Sequence, residues 1–263
     1  MFSTFNTGNN VSDVNATPYS GTLDPRLDWT VGRPGIPYLD WGLYPKNDWI
    51  RDVASDGWMN PKKNVYPKSQ TGSVSSTETS FWGPTQMDAV NVNLMRFSDV
   101  LLMAAEAEVQ AGTLHQATVY VNMVRNRAAD PTGWVYKNSA YSASTGTYTT
   151  QTTPADNYLV KPYPSDFVDK ATAMQAIMFE RKLELGMEGH RFFDLQRWDN
   201  GSGLMANELN AYAAAEKSRP GFFSFNSGAT FTKGKNEIYP IPQQDIDVAN
   251  ALGKVLLKQN PGY

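Results

Sequence analysis

Cysteine is absent from the 263 residues of this sequence, and histidine occurs only twice. The lack of cysteine excludes disulfide bonds, thiolate catalysis and zinc sites with cysteine ligands. With two histidines, a metal site that needs several imidazole ligands is not expected either. We therefore expect no metal ion. We expect no organic cofactor either.

Positive charge is also scarce. The net charge is −3, and no basic run is longer than a pair such as Lys62-Lys63. A protein that binds DNA or RNA needs a basic stripe to neutralise phosphates, so we expect no nucleic-acid partner. Charged residues make up 19% of the chain, below the ~25% of an average domain. The neutral polar residues in their place suit a secreted protein that faces neutral ligands.

Long apolar runs are missing. The longest, Val100 to Ala105, is far shorter than the ~20 residues that span a bilayer, so no transmembrane helix is predicted. Residues 1–6 lack the basic region, apolar core and cleavage site of a signal peptide. Either the protein is not exported, or the sequence has lost its natural start.

Sequence motifs of catalysis are absent as well. The chain contains no nucleophile elbow, no glycine-rich phosphate loop and no lysine in a Walker context. Asp24 and Asp28, in the sequence Asp-Pro-Arg-Leu-Asp, could form an acid pair. A turn that begins at the Asp-Pro step is the simpler interpretation, and we expect no enzymatic activity.

Aromatic residues, in contrast, are abundant, at 12% of the chain. Residues 1–90 also hold many prolines and glycines, which interrupt helices. We interpret them as a loop-rich segment packed on a helical domain formed by residues 91–263, and residues 69–80 as a surface loop. The aromatic residues of the first segment include Tyr19, Trp29, Tyr38, Trp41, Tyr44, Trp49, Trp58, Tyr66, Phe81 and Trp82.

Two helices are predicted at residues 94–111 and from Thr113 to about Ala128. Gly112 fits the end of the first helix, and Thr113 with Gln116 forms a capping box for the second. This hairpin resembles one tetratricopeptide unit, and a single unit needs partners elsewhere in the chain or in a missing part. The expected inner faces are Val100, Met103, Ala104, Ala107 and Ala111 in the first helix, and Ala117, Val121, Val124 and Ala128 in the second.

A third helix is predicted at residues 166–188, after a loop at 132–163, with Ser165 or Asp166 as its cap. Its apolar residues lie on two sides, which is typical of a central helix. Shorter helical stretches are predicted at residues 192–198 and 204–216 and near Asp245.

The densest group of charges lies between Glu180 and Trp198. One interpretation is a pair of carboxylates for acid–base catalysis, and another uses His190 and Asp194 as metal ligands. We favour a partly buried network of carboxylates and arginines, because charges remain buried only when they are paired. Arg181 and Glu184, three residues apart on a helix, would be neighbours in such a network.

The aromatic loops carry the best indication of binding. Tryptophan and tyrosine rings can stack on the C–H faces of sugars, while carboxylates, amides and guanidiniums pair with hydroxyl groups; large rings on loops are typical of recognition. The alternative is that the rings only fix long loops to the core. The predicted ligand-binding residues are Tyr38, Trp41, Tyr44, Asp48, Trp49, Arg51 and Trp58, with Asn47 in the same stretch.

Four blocks of the sequence resemble SusD/RagB-family proteins and occur in that family's order. Two of them are the Asp24–Asp28 stretch and the segment from Leu94 to Ala107. The third is the charged motif at 180–198, with Glu180-Arg181-Lys182-Leu183-Glu184-Leu185 at its start. The fourth is the tail, Tyr239-Pro240-Ile241-Pro242 through Asn260-Pro261-Gly262-Tyr263.

The resemblance implies a mainly α fold of tetratricopeptide-like hairpins with long aromatic-rich loops and minor β structure. It further implies a lipoprotein on the extracellular face of the outer membrane. Such a protein passes oligosaccharides, or sometimes peptides, to a SusC-like TonB-dependent transporter and has no catalytic residues. A helical-repeat adaptor for another protein is the alternative. Because the family's signal peptide, lipidated cysteine and first repeats are absent, we expect this chain to be a C-terminal half.

Overall fold

In a computed structural model, the protein is described at residues 21–45, 48–50, 59–78, 85–138, 150–217, 228–251, 253 and 256–263. These residues form a mainly helical structure with two small antiparallel hairpins, which confirms the predicted fold class. The helices are α1 (Arg26–Thr30), α2 (Phe97–Ala111), α3 (Leu114–Ala129), α4 (Lys170–Glu184), α5 (His190–Asp199), α6 (Leu204–Lys217) and α7 (Gln243–Asn250). The strands are β1 (Ser75–Glu78), β2 (Thr85–Asp88), β3 (Tyr136–Asn138) and β4 (Thr150–Pro154).

The strands lie in segments that we predicted as loops. Strand β1 pairs with β2, with Ser75 opposite Asp88, inside and just after the expected surface loop at 69–80. Strand β3 pairs with β4, with Tyr136 opposite Pro154, inside the expected loop at 132–163. Threonine and tyrosine favour extended backbone, so the composition that indicated loops also permits these short strands.

The hairpin of α2 and α3 has the caps that the sequence predicts. The amide of Gly112 donates to the carbonyl of Glu108 at the end of α2. The Oγ1 of Thr113 accepts a hydrogen bond of 3.1 Å from the amide of Gln116 at the start of α3. The predicted inner face of α3 is confirmed, because Ala117, Val121, Val124 and Ala128 are all buried.

The predicted inner face of α2 is wrong. Val100, Met103, Ala107 and Ala111 are exposed, and Ala104 is only half-buried. The helix has large apolar residues on two sides, and the other side packs against α3 and α4. The residues that it buries are Leu101, Leu102, Ala105 and Val109.

Helix α4 is shorter than predicted at both ends. It begins at Lys170, because Asp169 caps it by accepting a hydrogen bond of 2.7 Å from the amide of Thr172. Just before the cap, Phe167 is buried in the core, and its amide donates to the Oγ1 of Thr118. The helix ends at Glu184, and Met187 and Gly189 follow with positive φ angles, so the backbone leaves the helix before the predicted end at residue 188.

The described chain forms two compact units, which divide at residues 190 and 191. The first contains α1 to α4 and both hairpins, and it has a core that α2, α3 and α4 share. In the second, Asp199 caps α6 by accepting from the amide of Met205. The side-chain amide of Gln259 both donates to and accepts from the backbone of Ile241, which fixes the proline-rich tail segment. The division at residue 90 stays a prediction.

Truncation of a side chain on the buried side of α2 should lower the free energy of unfolding more than truncation on its exposed side. Leu102 is fully buried, so Leu102→Ala should lower the free energy of unfolding by ~2–5 kcal/mol. The adjacent Met103 is exposed, and Met103→Ala should cost much less. Urea unfolding of both variants, followed by circular dichroism, checks this expectation. An equal loss in the two variants would contradict the burial of one side and the exposure of the other.

Candidate functional site

Three of the predicted binding residues form one aromatic cluster. The ring centroids of Tyr38 and Tyr44 lie 5.4 Å apart. The indole of Trp49 lies 5.7 Å from Tyr38 and 5.6 Å from Tyr44, and it is T-shaped to both. Such edge-to-face arrangements are the favoured geometry of aromatic pairs. Residues that are eleven positions apart in the loop are therefore held together by their rings.

The cluster has a buried base and an exposed top. Tyr44 is 1% exposed, and Tyr38 is also buried, with its hydroxyl donating to the carbonyl of Pro61. Trp49 is 42% exposed, and Asp48 beside it is exposed as well. The two tyrosines therefore support Trp49 and have no free ring face of their own. Trp49 is the member of this cluster that a ligand can reach, and Asp48 lies exposed beside it in the sequence.

A second ring pair lies next to the cluster. Trp41 is half-buried, and its indole Nε1 donates to the backbone carbonyl of Tyr66 at 2.8 Å. Its ring is T-shaped to that of Tyr66, with centroids 5.5 Å apart. The hydrogen bond and the ring contact both hold the indole of Trp41 in place. A ligand could therefore bind to its partly exposed ring without a change of rotamer. Arg51 and Trp58, together with Asn47, lie outside the described residues.

A buried lysine connects the cluster to α1. The Nζ of Lys62 donates to the carbonyls of Asp28 and Pro37 at 2.6 and 2.8 Å. It also lies 5.2 Å from the ring centroid of Trp29 and 5.7 Å from that of Tyr38. Burial lowers the pKa of Lys62 to about 8. Lys62 was not among the predicted site residues, because its contacts join segments that are far apart in the sequence.

The predicted network of carboxylates and arginines is present around α4. Glu180 is fully buried, with one oxygen 2.6 Å from Arg26 and the other 2.7 Å from Arg125. Glu184, one helical turn later, accepts from Arg26, Arg96 and Arg127. These arginines come from α1, from the segment before α2 and from α3. The two glutamates of one helix therefore tie three other parts of the first unit together.

The same network argues against acid–base catalysis. Burial alone would raise the pKa of Glu184, but the charges of Arg127, Arg96 and Arg26 lower it to about 2. A carboxyl with that pKa carries no proton at neutral pH and is a poor base. Arg181 is likewise occupied, since it pairs with buried Asp99 at 2.7 Å. The interpretation of this motif as a structural network is confirmed.

Asp24 and Asp28, the other possible acid pair, are also held by arginines. Asp24 pairs with Arg26 at 2.6 Å and accepts from its amide, as expected of a turn at an Asp-Pro step. Asp28 is fully buried and pairs with Arg33 at 2.6 Å, and the hydroxyl of Tyr158 donates to it. Among the residues that the structure describes, no group of three histidines or carboxylates could hold a metal ion.

Comparison with known proteins identifies the architecture. The model of the SusD family matches residues 5–263, almost the whole chain. The chain belongs to the SusD family. No curated protein sequence matches it significantly. Proteins of this family are associated with the outer membrane and with nutrient uptake. None of the helices in the described ranges is long and apolar enough to cross a membrane.

Solved structures of SusD-family proteins have the same fold. A SusD homologue from Bacteroides thetaiotaomicron is 25% identical, with a TM-score of 0.53 over 91% of this chain and 41% of that chain. A SusD superfamily protein from Bacteroides vulgatus is 20% identical, with a TM-score of 0.50 over 95% of this chain and 41% of that chain. The chain thus spans about two fifths of the length of these relatives.

The network predicts a specific response to acid. The pKa of Glu184 lies at about 2 in the folded chain, below the ordinary value of 4.5. Its ion pairs therefore contribute stability above pH 4.5, and this contribution is lost as the pH falls towards about 2. Glu184→Gln should lower the free energy of unfolding by ~1.5–3 kcal/mol at pH 7, because Arg26, Arg96 and Arg127 each lose a charged acceptor, although Arg26 and Arg96 keep other carboxylates. The difference from the unaltered chain should shrink at pH 3.

Glu208→Gln is the matched control for this experiment. Glu208 pairs with Arg191 at 3.1 Å, but Glu208 is exposed and Arg191 is only half-buried, so the change should cost at most ~1 kcal/mol. Urea unfolding of both variants at pH 7 and pH 3 gives the comparison. A difference between Glu184→Gln and the unaltered chain that is the same at both pH values would contradict the lowered pKa.

Proposed function

We propose that this chain is part of a cell-surface protein that captures oligosaccharides and delivers them to a SusC-like TonB-dependent transporter. The observation that carries the proposal is the exposed indole of Trp49, held on two buried tyrosines in a SusD-family chain. A rigid, half-exposed ring offers contact area without the entropy cost of ordering a mobile side chain. Sugar rings, which have apolar C–H faces, are suited to such a surface.

The polar groups near the rings support a sugar ligand. Asp48 is exposed next to Trp49, and a carboxylate accepts hydrogen bonds from sugar hydroxyls. Trp41 adds a second indole that is fixed by Tyr66. Rings for stacking and acceptors for hydroxyl groups therefore occur in one short stretch of loop. Arg51 and Trp58 remain part of the proposed site on the basis of the sequence.

The proposed setting is the extracellular face of the outer membrane, where a lipid anchor would hold the protein. The proposed role is binding without catalysis, because the carboxylates around α4 are engaged by arginines. Family membership supports both points. An adaptor that binds only other proteins, or a component that binds peptides instead of glycans, is the alternative.

Trp49→Ala tests the proposed site. Affinity electrophoresis of the chain through gels with embedded plant, host or microbial polysaccharides gives the ligand class. Isothermal titration with the matching oligosaccharide then gives the affinity. Trp49→Ala should weaken binding by ~1–3 kcal/mol, the range found for stacking on aromatic side chains in nucleic-acid binding. No shortened sugar product should appear during the titration.

Leu43→Ala serves as the control, because Leu43 is an exposed apolar residue of the same loop without a ring. It should leave the affinity unchanged. Equal affinities of the unaltered chain and folded Trp49→Ala would contradict the site. If the chain binds a SusC-like transporter but no polysaccharide gel slows its migration, the adaptor is favoured. Release of shortened sugars that is lost in Glu184→Gln would favour an enzyme.

A further inference from the structure

A cleft in the first unit lies apart from the aromatic cluster, over the network around α4. Its volume is about 470 Å³, within the range of about 300–1,000 Å³ that is usual for small-molecule sites. Trp29 at the end of α1 and Met187 after α4 contribute apolar surface. Asn64 and Asn93 contribute side-chain amides. The cleft therefore combines one large ring with polar groups of several kinds.

The indole of Trp29 is held in a fixed position. Its Nε1 donates to the carbonyl of Gly133 at 2.7 Å. The buried ammonium of Lys62 lies over the ring, 5.2 Å from the centroid. Trp29 is nevertheless 43% exposed and lines the cleft, so the part of the ring away from Lys62 is open to a ligand. Trp29 is thus a third fixed indole beside Trp41 and Trp49, and it was not among the predicted binding residues.

The charges at the cleft surface are mainly positive. The side chain of Glu184 is 1% exposed, whereas that of Arg127 is 59% exposed. Glu188 is also less exposed than Arg96 and Lys63, its two partners. A ligand would therefore meet guanidinium and ammonium groups before carboxylates. The cations that line the cleft are Arg26, Lys63, Arg96 and Arg127, and the carboxylates are Glu184 and Glu188.

Positive charges still outnumber negative charges when the groups behind the lining of the cleft are included. Asp24 and Glu180 add two carboxylates, and Arg125 adds one cation. The whole cluster then has five cations and four carboxylates. The protein as a whole has a net charge of −3, so a cationic cleft runs against the general charge of the chain.

Arg127 has donors that the network does not use. Its Nη2 donates to Glu184, and among the described residues its Nε and Nη1 groups have no hydrogen-bond partner. Guanidinium groups bind carboxylates well, because their donors match the two oxygens in geometry and charge. A carboxylate at this point of the cleft would lie beside a ring that can stack on a sugar.

We propose that this cleft binds a sugar ring that carries a carboxylate, such as a uronic acid unit of an oligosaccharide. Trp29 stacks on the C–H face of the sugar, and Arg127 pairs with its carboxylate. Asn64 and Asn93 lie within the same cleft and can bind hydroxyl groups. The proposal rests on the proposed glycan-capture function, and it extends that function to a second site and to acidic ligands.

The test compares an oligogalacturonate with the same oligosaccharide after its carboxylates have been reduced to alcohols. In isothermal titration of the full chain, the acidic form should bind at least about tenfold more tightly than the reduced form. The reason is that hydrogen bonds between charged groups are stronger than those between neutral groups. Arg127→Gln should remove this preference. Leu43→Ala, outside the cleft, should leave the preference intact.

Val92 provides a variant that leaves the network untouched. It is an exposed residue of the cleft rim, so a new charge there should not affect folding. Val92→Asp should weaken binding of the acidic form several-fold by repulsion, with Val92→Asn as the uncharged control. Binding of the reduced form should be the same in both variants.

Four results would overturn the proposal. Equal affinity for the acidic and reduced forms would show that no carboxylate is recognised. A preference that Val92→Asp and Arg127→Gln leave unchanged would place the carboxylate elsewhere. Loss of the preference in Trp49→Ala alone would assign it to the aromatic cluster, and this result would overturn the cleft while leaving glycan capture standing. Failure to bind any oligosaccharide would overturn both.

Discussion

The pairing of buried glutamates with arginines from distant segments is the constraint on which the first unit depends. Glu180 and Glu184 lie one turn apart on α4, and neither is accessible to solvent. Carboxylates at such positions are tolerated only when cations approach them closely. Arg26, Arg96 and Arg127 meet this requirement and come from three separate segments. The positions of α1 and α2 relative to α4 are therefore fixed by charge as well as by apolar packing.

The positions of the candidate binding surfaces depend on this arrangement. Helix α1 supplies Arg26 to the network and continues to Trp29 at the cleft. It also supplies Asp28, which pairs with Arg33 and whose carbonyl accepts from Lys62. Lys62 in turn lies against Tyr38, at the base of the aromatic cluster. A five-residue helix thus links the charged interior to both surfaces that we assign to ligands, and a loss of the network would disturb both.

Much of this fold can be predicted from the sequence, because its helices have clear caps and apolar periods. Thr113 with Gln116 defines the start of α3, and the inner face of α3 follows from its alanines and valines. The face of α2 could not be predicted, since Leu102 and Met103 give it two apolar sides and only tertiary packing chooses between them. The charged motif could be recognised from the sequence, because glutamates and arginines occur close together in it. Trp29 and Lys62 were missed, because their roles depend on contacts between segments that no local pattern encodes.

The separation of the paired residues along the chain has a consequence for the order of folding. Arg26 and Glu180 are 154 positions apart, and Arg96 and Glu184 are 88 apart. During synthesis, α1 leaves the ribosome long before Glu180 and Glu184 exist, so Asp24 is at first the only one of its three carboxylate partners that Arg26 has. Until α4 is made, burial of Arg26 would leave most of its ion pairs unformed, so early collapse around α1 is disfavoured. Contacts of such long range form slowly, because a large loop must close first. The hairpin of α2 and α3 can form early, because its contacts are local. The charged network forms only after α4 has been synthesised.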